Sequence, residues 1–180
     1  MARAQEDPWQ DFNKMMFDFN SRYYQSAGSG VSQFFADHVP AGVRQAVANF
    51  FSNLEDLWIA VNQLLQGKVE RGVSDGWRFA VNTTIGIGGL FDPASRIGLD
   101  SNNEDFGQTL AVYGVGEGAY LFIPMIGPSN PRDLFGWAVD FLFDPLTYVQ
   151  WGDQWVLPYT RVGLDITDLR ARNIETLDEL

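Results

Sequence analysis

The chain has no cysteine and only one histidine in its 180 residues. The first absence excludes disulfides, thiolate nucleophiles and cysteine metal sites, and leaves the redox compartment open. The second excludes a histidine-rich metal centre and makes His38 the sole imidazole available to a Ser-His-Asp arrangement. No G-x-S-x-G elbow accompanies it. Basic residues are also scarce. Twelve Lys and Arg face 23 Asp and Glu, a formal charge of −11. Nucleic acid is therefore not a partner, because phosphate binding needs clustered basic residues. Adhesion to an anionic membrane through a basic patch is disfavoured for the same reason. An acidic surface suits either a basic protein partner or plain solubility. Long apolar runs are missing too. The longest, Ala119 to Ile126, is broken by Pro124 and falls short of the roughly 18 residues of a spanning helix. Any meeting with a membrane must use amphipathic elements. The start carries no basic, apolar leader, and Met1-Ala2-Arg3 reads as a trimmed beginning.

What is present is aromatic and apolar. Apolar residues make up 46% of the chain and aromatics 14%, yet the mean hydropathy is slightly negative. Arrangement therefore decides the class. The length suits one domain over 1–180. Without repeats or low-complexity linkers, Pro and Gly cut the chain into helix-length pieces. The first is expected from about Pro8 to Gln25, capped by Asp7. A short piece surrounds Val31 to Ala36, and a third runs from Pro40 to about Ser52. Asn53 is expected to cap a fourth, with Asp56 as its capping-box partner, ending at Gly67. A fifth carries Val69, Val73, Trp77 and Val81 on one face and ends in Gly86, Gly88 and Gly89. Strand periodicity is weak. The expected fold is all-α.

Two helices depart from the usual surface pattern. In the first, Trp9, Phe12, Met16, Phe19 and Tyr23 fall within an arc of about 80°, with Asn13 and Asn20 beside them. Asp11, Lys14, Asp18 and Arg22 lie opposite. Such a helix fits a membrane interface, or packs on a soluble core. The second, from Asp133 to Asp144, is apolar on most sides. Asp133, Asp140 and Asp144 form one narrow acidic stripe, within about 40°. Carboxylates on a lipid-compatible helix face a bundle interior or a water-filled cavity. The alternative is structural pairing with Arg132 or Arg78.

Catalytic signals are thin. The run Asp100-Ser101-Asn102-Asn103-Glu104 lacks the Gly and Glu that a calcium loop needs. The Gly86–Gly89 and Gly114–Gly118 segments lack dinucleotide-binding spacing. Gly114, Gly116 and Gly118 instead permit a sharp turn or a change of shape ahead of the apolar segment that includes Tyr120. That turn either gates a path for lipid or is a static tight turn.

Several phrases in order are specific. They include Phe17-Asp18-Phe19-Asn20, Asn49-Phe50-Phe51-Ser52-Asn53-Leu54, Asn62-Gln63-Leu64-Leu65-Gln66-Gly67, Asn82-Thr83-Thr84-Ile85-Gly86 and Gly88-Gly89-Leu90-Phe91-Asp92. Asp105-Phe106-Gly107-Gln108-Thr109-Leu110, Tyr113-Gly114-Val115-Gly116 and Gly127-Pro128-Ser129-Asn130-Pro131-Arg132-Asp133 follow. Together, from about residue 7 to 170, they resemble the MlaA family, also called VacJ.

The resemblance implies a compact ring-like bundle of amphipathic helices seated in the inner, periplasmic-facing leaflet of a Gram-negative outer membrane. It implies association with a trimeric outer-membrane porin. A central amphipathic channel would let misplaced phospholipid leave the outer leaflet. A soluble periplasmic carrier, MlaC, would receive it, so that lipid asymmetry is preserved. No cofactor and no metal are implied, and the protein is expected not to be an enzyme. On this reading Asp133, Asp140, Asp144, Gly114, Gly116, Gly118 and Tyr120 belong to the channel. Trp9, Phe12, Met16, Phe19 and Tyr23 belong to the membrane interface. The family's signal peptide, lipidated Cys and basic helical tail are not found in this sequence. A membrane-bound scaffold, or a lipid hydrolase working through carboxylates or His38, are the competing classes. Phospholipid breakdown products would favour the hydrolase, and a bound partner without lipid the scaffold.

Overall fold

The computed structural model describes residues 8–23, 37–124 and 126–148. The piece expected around Val31 to Ala36, the proposed cap Asp7 and the far end of the family-like stretch lie outside the described residues. Six helices are seen among them: α1 (Gln10–Tyr23), α2 (Ala41–Leu65), α3 (Val69–Thr84), α4 (Pro93–Arg96), α5 (Phe106–Val112) and α6 (Pro131–Phe143). A 3-10 turn follows over Pro145–Tyr148. The fold is mostly helical, as expected, with one addition. Strands β1 (Leu121–Ile123) and β2 (Gly127–Ser129) pair antiparallel, Phe122 opposite Pro128. The proline that interrupts the apolar run falls in the turn of this hairpin, so three-residue strands were too short to show alternation.

The third and fourth expected pieces are one helix, α2. Asn53 is not a cap but a buried mid-helix residue. Its amide nitrogen donates to Thr83 Oγ1 of α3 at 2.9 Å, so its polarity serves the neighbouring helix rather than its own backbone. The end of α2 does match its sequence signal. Gly67 takes a left-handed φ of 75°, Gly67 N–H reaches the Leu64 carbonyl, and Lys68 N–H reaches that of Gln63. This is a Schellman closure, and it turns α3 back along α2. The two approach closely at Gly72, where a Cβ would lie 2.9 Å from Leu64 and 3.0 Å from the Ala60 carbonyl oxygen.

The interior inverts the usual partition. Among the described residues the buried apolar side chains are Ile59, Ala60 and Ala94. Asn53, Asp56, Asn62, Gln63, Asp75, Arg78, Asn82 and Thr109 are all buried. On α3 the apolar face read from the sequence has Val69, Val73 and Trp77 exposed, Trp77 at 61%. The opposite ridge, Asp75, Arg78 and Asn82, packs inward. The 3.6-residue period was readable, but which side faced in was not, because periodicity alone carries no sign of the solvent.

Helix α1 docks by the same logic. Its buried residues are Asn13 and Asn20. Asn13 accepts from Phe122 N–H at 2.7 Å and donates to the Tyr120 carbonyl at 3.0 Å. The side-chain amide thereby substitutes for a third strand along the β1 edge. Phe17 meets Phe122 edge-on, ring centroids 5.5 Å apart.

Candidate functional site: a charged interior beneath an apolar surface

Arg78 is the hub of the interior, 2% exposed. Its guanidinium fork spreads over α2, α4 and the following loop. Nε donates to Asp56 Oδ2 and Nη2 to Asp92 Oδ2, both at 3.3 Å. Nη1 donates to Ser95 Oγ at 3.1 Å and to the Leu99 carbonyl. Only arginine presents donors in so many directions from one rigid plane. Asp92 also caps α4, accepting from Ser95 N–H at 3.1 Å and from Asn82 Nδ2 at 3.0 Å. Asn82 in turn accepts from Ala94 N–H at 3.0 Å.

The carboxylates respond differently to this setting. Burial pushes Asp56 up to about 6, against the pull of the Arg78 charge and with added repulsion from Asp75 and Asp92. Burial also raises Asp75, although Asn102 Nδ2 donates to both its oxygens at 3.1 Å. For Asp92 burial is outweighed by bonds from Ser95 and Asn82 and by the Arg78 charge, so it stays below the ordinary range. Asn102 and Glu104, members of the acidic run discounted as a calcium loop, are thus structural partners. Glu104 pairs with Lys68 at 2.6 Å.

The expected acidic stripe is divided by the structure. Asp140 faces inward, accepting from Trp58 Nε1 at 2.6 Å and from Phe106 N–H at 3.1 Å. Burial raises its pKa in spite of those donors. Asp133 sits in the first turn of α6, bound to Asn130 Nδ2 at 2.7 Å and Arg132 Nε at 2.8 Å. Asp144 is the residue at which α6 stops. Arg132 is therefore a stripe partner as expected for the pairing alternative. Arg78 is not, because Asp56 and Asp92 occupy its fork. The broad apolar surface of α6 is real, with Phe135, Trp137, Leu142 and Phe143 all exposed. Its one buried residue is Gly136.

The remaining candidate residues lie at the surface. Gly114, Gly116 and Gly118 sit in an exposed segment after α5, Gly114 and Gly118 with φ of 84° and 80°. A Cβ on Gly118 would press on Pro131, whereas Gly116 has open space around it. Tyr120 is exposed. Trp9 and Phe19 are exposed, Phe12 and Met16 half-buried, and the side chain of Tyr23 lies outside the described residues. Met15 and Phe17, outside the expected interface set, are exposed as well. His38 is exposed ahead of α2. The Asp56–Arg78–Asp92 core was not singled out from sequence. Its signal was there: polar residues at Asp75, Arg78 and Asn82, spaced three and four apart, on the side of α3 opposite its apolar face.

No helix among the described residues is long and apolar enough to cross a membrane. Among the described residues, polar groups inside and apolar groups outside define a helical protein built inside out. The chain belongs to the MlaA lipoprotein family, whose sequence profile matches residues 5–180. It is 33% identical over 153 residues to the intermembrane phospholipid transport system lipoprotein MlaA of Escherichia coli, covering 83% of this chain and 61% of that protein. The counterpart in Haemophilus influenzae is 32% identical over 183 residues, 97% of this chain and 70% of that one. An uncharacterized protein of Rickettsia prowazekii is 36% identical over 163 residues, 87% of this chain and 63% of its own length. The chain thus spans a little over three-fifths of the Rickettsia and Escherichia relatives. A solved chain from work on the structural basis for maintenance of bacterial outer membrane lipid asymmetry superposes with a TM-score of 0.85. It is 33% identical, over 96% of this chain and 86% of that one.

Proposed function

We propose that this chain is the membrane-seated, lipid-handling part of an outer-membrane phospholipid transport protein. It rests in the inner leaflet beside a trimeric porin. Misplaced phospholipid leaves the outer leaflet through its amphipathic channel and passes to the soluble carrier MlaC. The observation that carries this reading is the inversion: Arg78, Asp56 and Asp75 inside, Trp77, Phe91, Phe135 and Phe143 outside. In water that surface would cost about 25 cal/mol for each Å² left uncovered, whereas against acyl chains it costs nothing. Helix α1 fits an interfacial position, with aromatic residues on one side and Asp11, Lys14, Asp18 and Arg22 on the other. A headgroup crossing hydrocarbon unaided loses its hydration, and a path lined by Asp133, Asp144 and Tyr120, with the Gly114–Gly118 turn as its movable wall, would lower that barrier. The family relatives named for intermembrane phospholipid transport support the substrate.

Two measurements test it. Trp9→Asp with Phe19→Asp removes two exposed aromatic anchors, each contributing about 1.5–3 kcal/mol when buried in lipid. The folded double variant should lose flotation with phospholipid vesicles. Vesicles carrying fluorescent phospholipid should then pass label to MlaC only when the intact protein is present. Unaltered flotation would remove the interfacial role of α1. Release of lysolipid or fatty acid, in place of whole-lipid transfer, would make the protein a hydrolase.

A further inference from the structure

The segment between α3 and α4, which lacks dinucleotide-binding spacing, carries its own signal. Ile87 has a left-handed φ of 55°, a region that β-branched residues avoid. Glycines surround it on both sides and would take that conformation without strain. Yet most of the side chain is uncovered: Ile87 is 66% exposed and Ile85 70%. Leu90 and Phe91 are exposed as well. A strained, exposed isoleucine has no use in the fold by itself, which points to a contact beyond the chain.

The loop is also tied closely into the fold. A Cβ on Gly86 would fall 2.3 Å from the Phe91 carbonyl oxygen, and one on Gly89 2.7 Å from the Asn53 amide. The N–H groups of Ile85, Gly86, Gly88, Gly89, Leu90 and Phe91 all donate to carbonyls within the loop or the last turns of α3. The Leu90 carbonyl accepts from Asn49 Nδ2 at 3.2 Å, and the Thr84 hydroxyl bonds back to the Ala80 carbonyl at 2.7 Å. Residues 79–91 contain no charge. Arg78 and Asp92, which bracket them, pair with each other at the base of the loop. The neighbouring stretch of α2, residues 45–54, is uncharged too.

We infer that this loop is a preformed hydrocarbon-inserting knob, with Ile85, Ile87, Leu90 and Phe91 entering the acyl region of the bilayer. Its partner is lipid rather than protein because residues 79–91 carry no charge and six of the seven N–H groups from Ile85 to Phe91 already bond within the chain. Hydrocarbon demands internal satisfaction of nearly every N–H, whereas a protein partner is commonly gripped through groups left free to bond. The opposite end of α3, with Lys68, Glu70 and Arg71, then lies toward water. This inference rests on the membrane-seated reading above and adds the orientation of the α2–α3 pair.

The absence of cysteine makes the test clean. Ile87→Cys and Glu70→Cys each provide one site for an environment-sensitive fluorophore, on protein bound to phosphatidylethanolamine–phosphatidylglycerol vesicles. Nitroxides deep in the acyl chain should quench the label at position 87 and leave that at position 70 bright. A floating protein whose position 87 is quenched only by headgroup nitroxides would overturn the knob and leave membrane seating intact. A protein that does not float would overturn both. Ile87→Gly supplies a second readout. It removes the strain and the side chain together, so the thermal midpoint should hold or rise while vesicle partition falls about tenfold or more. Unchanged partition, or a midpoint that falls with it, would make Ile87 a packing residue and refute the inference.

Discussion

Arg78→Met tests whether the buried charges hold the helices together. Arg78 ties α2 to α4 through Asp56 and Asp92 and secures the next loop through Ser95 and Leu99. Methionine keeps most of the volume and removes every donor. Asp56, with no exposed surface, is then a buried carboxylate without its counter-ion. Stranding a charge in this way costs about 3–5 kcal/mol, and at this chain length 1 kcal/mol moves the midpoint by about 2–4 °C. A fall on the order of 10 °C should appear in thermal unfolding followed by circular dichroism in mild detergent at pH 7.5. The pH dependence supplies the sign. Asp56 is raised from 3.8 to about 6 in the folded protein, so its contribution is fullest below its unfolded pKa and declines as pH climbs through 6. That decline is worth about 3 kcal/mol in the parent. Arg78 is the main influence holding the Asp56 pKa down. Without it Asp56 protonates at higher pH, and the variant should recover much of its deficit by pH 5. Arg78→Lys, which keeps the charge but not the fork, should fall between. A midpoint within 2 °C of the parent at pH 7.5 would refute the reasoning, as would an equal deficit at pH 5 and pH 7.5.

Asp140→Asn should lower stability by about 1–3 kcal/mol, because the Trp58 and Phe106 donors lose a two-oxygen acceptor. Chemical unfolding in detergent reads this, and a change under 0.5 kcal/mol would return Asp140 to the hydrated lipid path. Gly116→Val, placed in open space, should reduce lipid transfer to MlaC several-fold while the melting temperature stays put. Gly118→Val should cost both, since φ is 80° and Pro131 blocks the Cβ. Equal losses of stability in the two variants would mark the segment as a static turn.

How much of this was legible in the sequence varies by element. The stop of α2 at Gly67 was readable, because a left-handed glycine is local chemistry. The start of α6 lies two residues ahead of the expected Asp133, at an Asn cap followed by proline that is equally local but was not singled out. The apolar faces of α1, α3 and α6 were readable as stripes. Asn53 was misread because an Asn with Asp56 three residues on looks like a capping box, and only the arrival of Thr83 from α3 gives it another role. Asp140 shows the limit most plainly. Its place on α6 followed from spacing, but its donors come from positions 58 and 106. No pattern local to residues 133–144 encodes them.

The inside-out arrangement also explains why glycine and polar side chains cluster where helices cross. Against lipid, burying a leucine between helices gains little, because the tails outside are as apolar as the interior. Association must then come from close backbone approach and from hydrogen bonds. Both are found at the same crossings. Where α5 meets α6, a Cβ on Gly136 would lie 2.3 Å from Gly107 N, and beside that contact Asp140 takes the Phe106 N–H and the Trp58 indole. Where α2 meets α3, Gly72 admits Leu64, and Asn53–Thr83 and Asp56–Arg78 supply the polar links. The same polar seam would be a poor choice in a water-soluble bundle, where replacing a buried ion pair by packed hydrophobic residues is often stabilising. On the membrane-seated reading it is the term that remains once the hydrophobic difference between inside and outside has vanished. The acidic excess of the chain therefore does not mark a solvated surface alone, since Asp56, Asp75 and Glu104 are spent inside it.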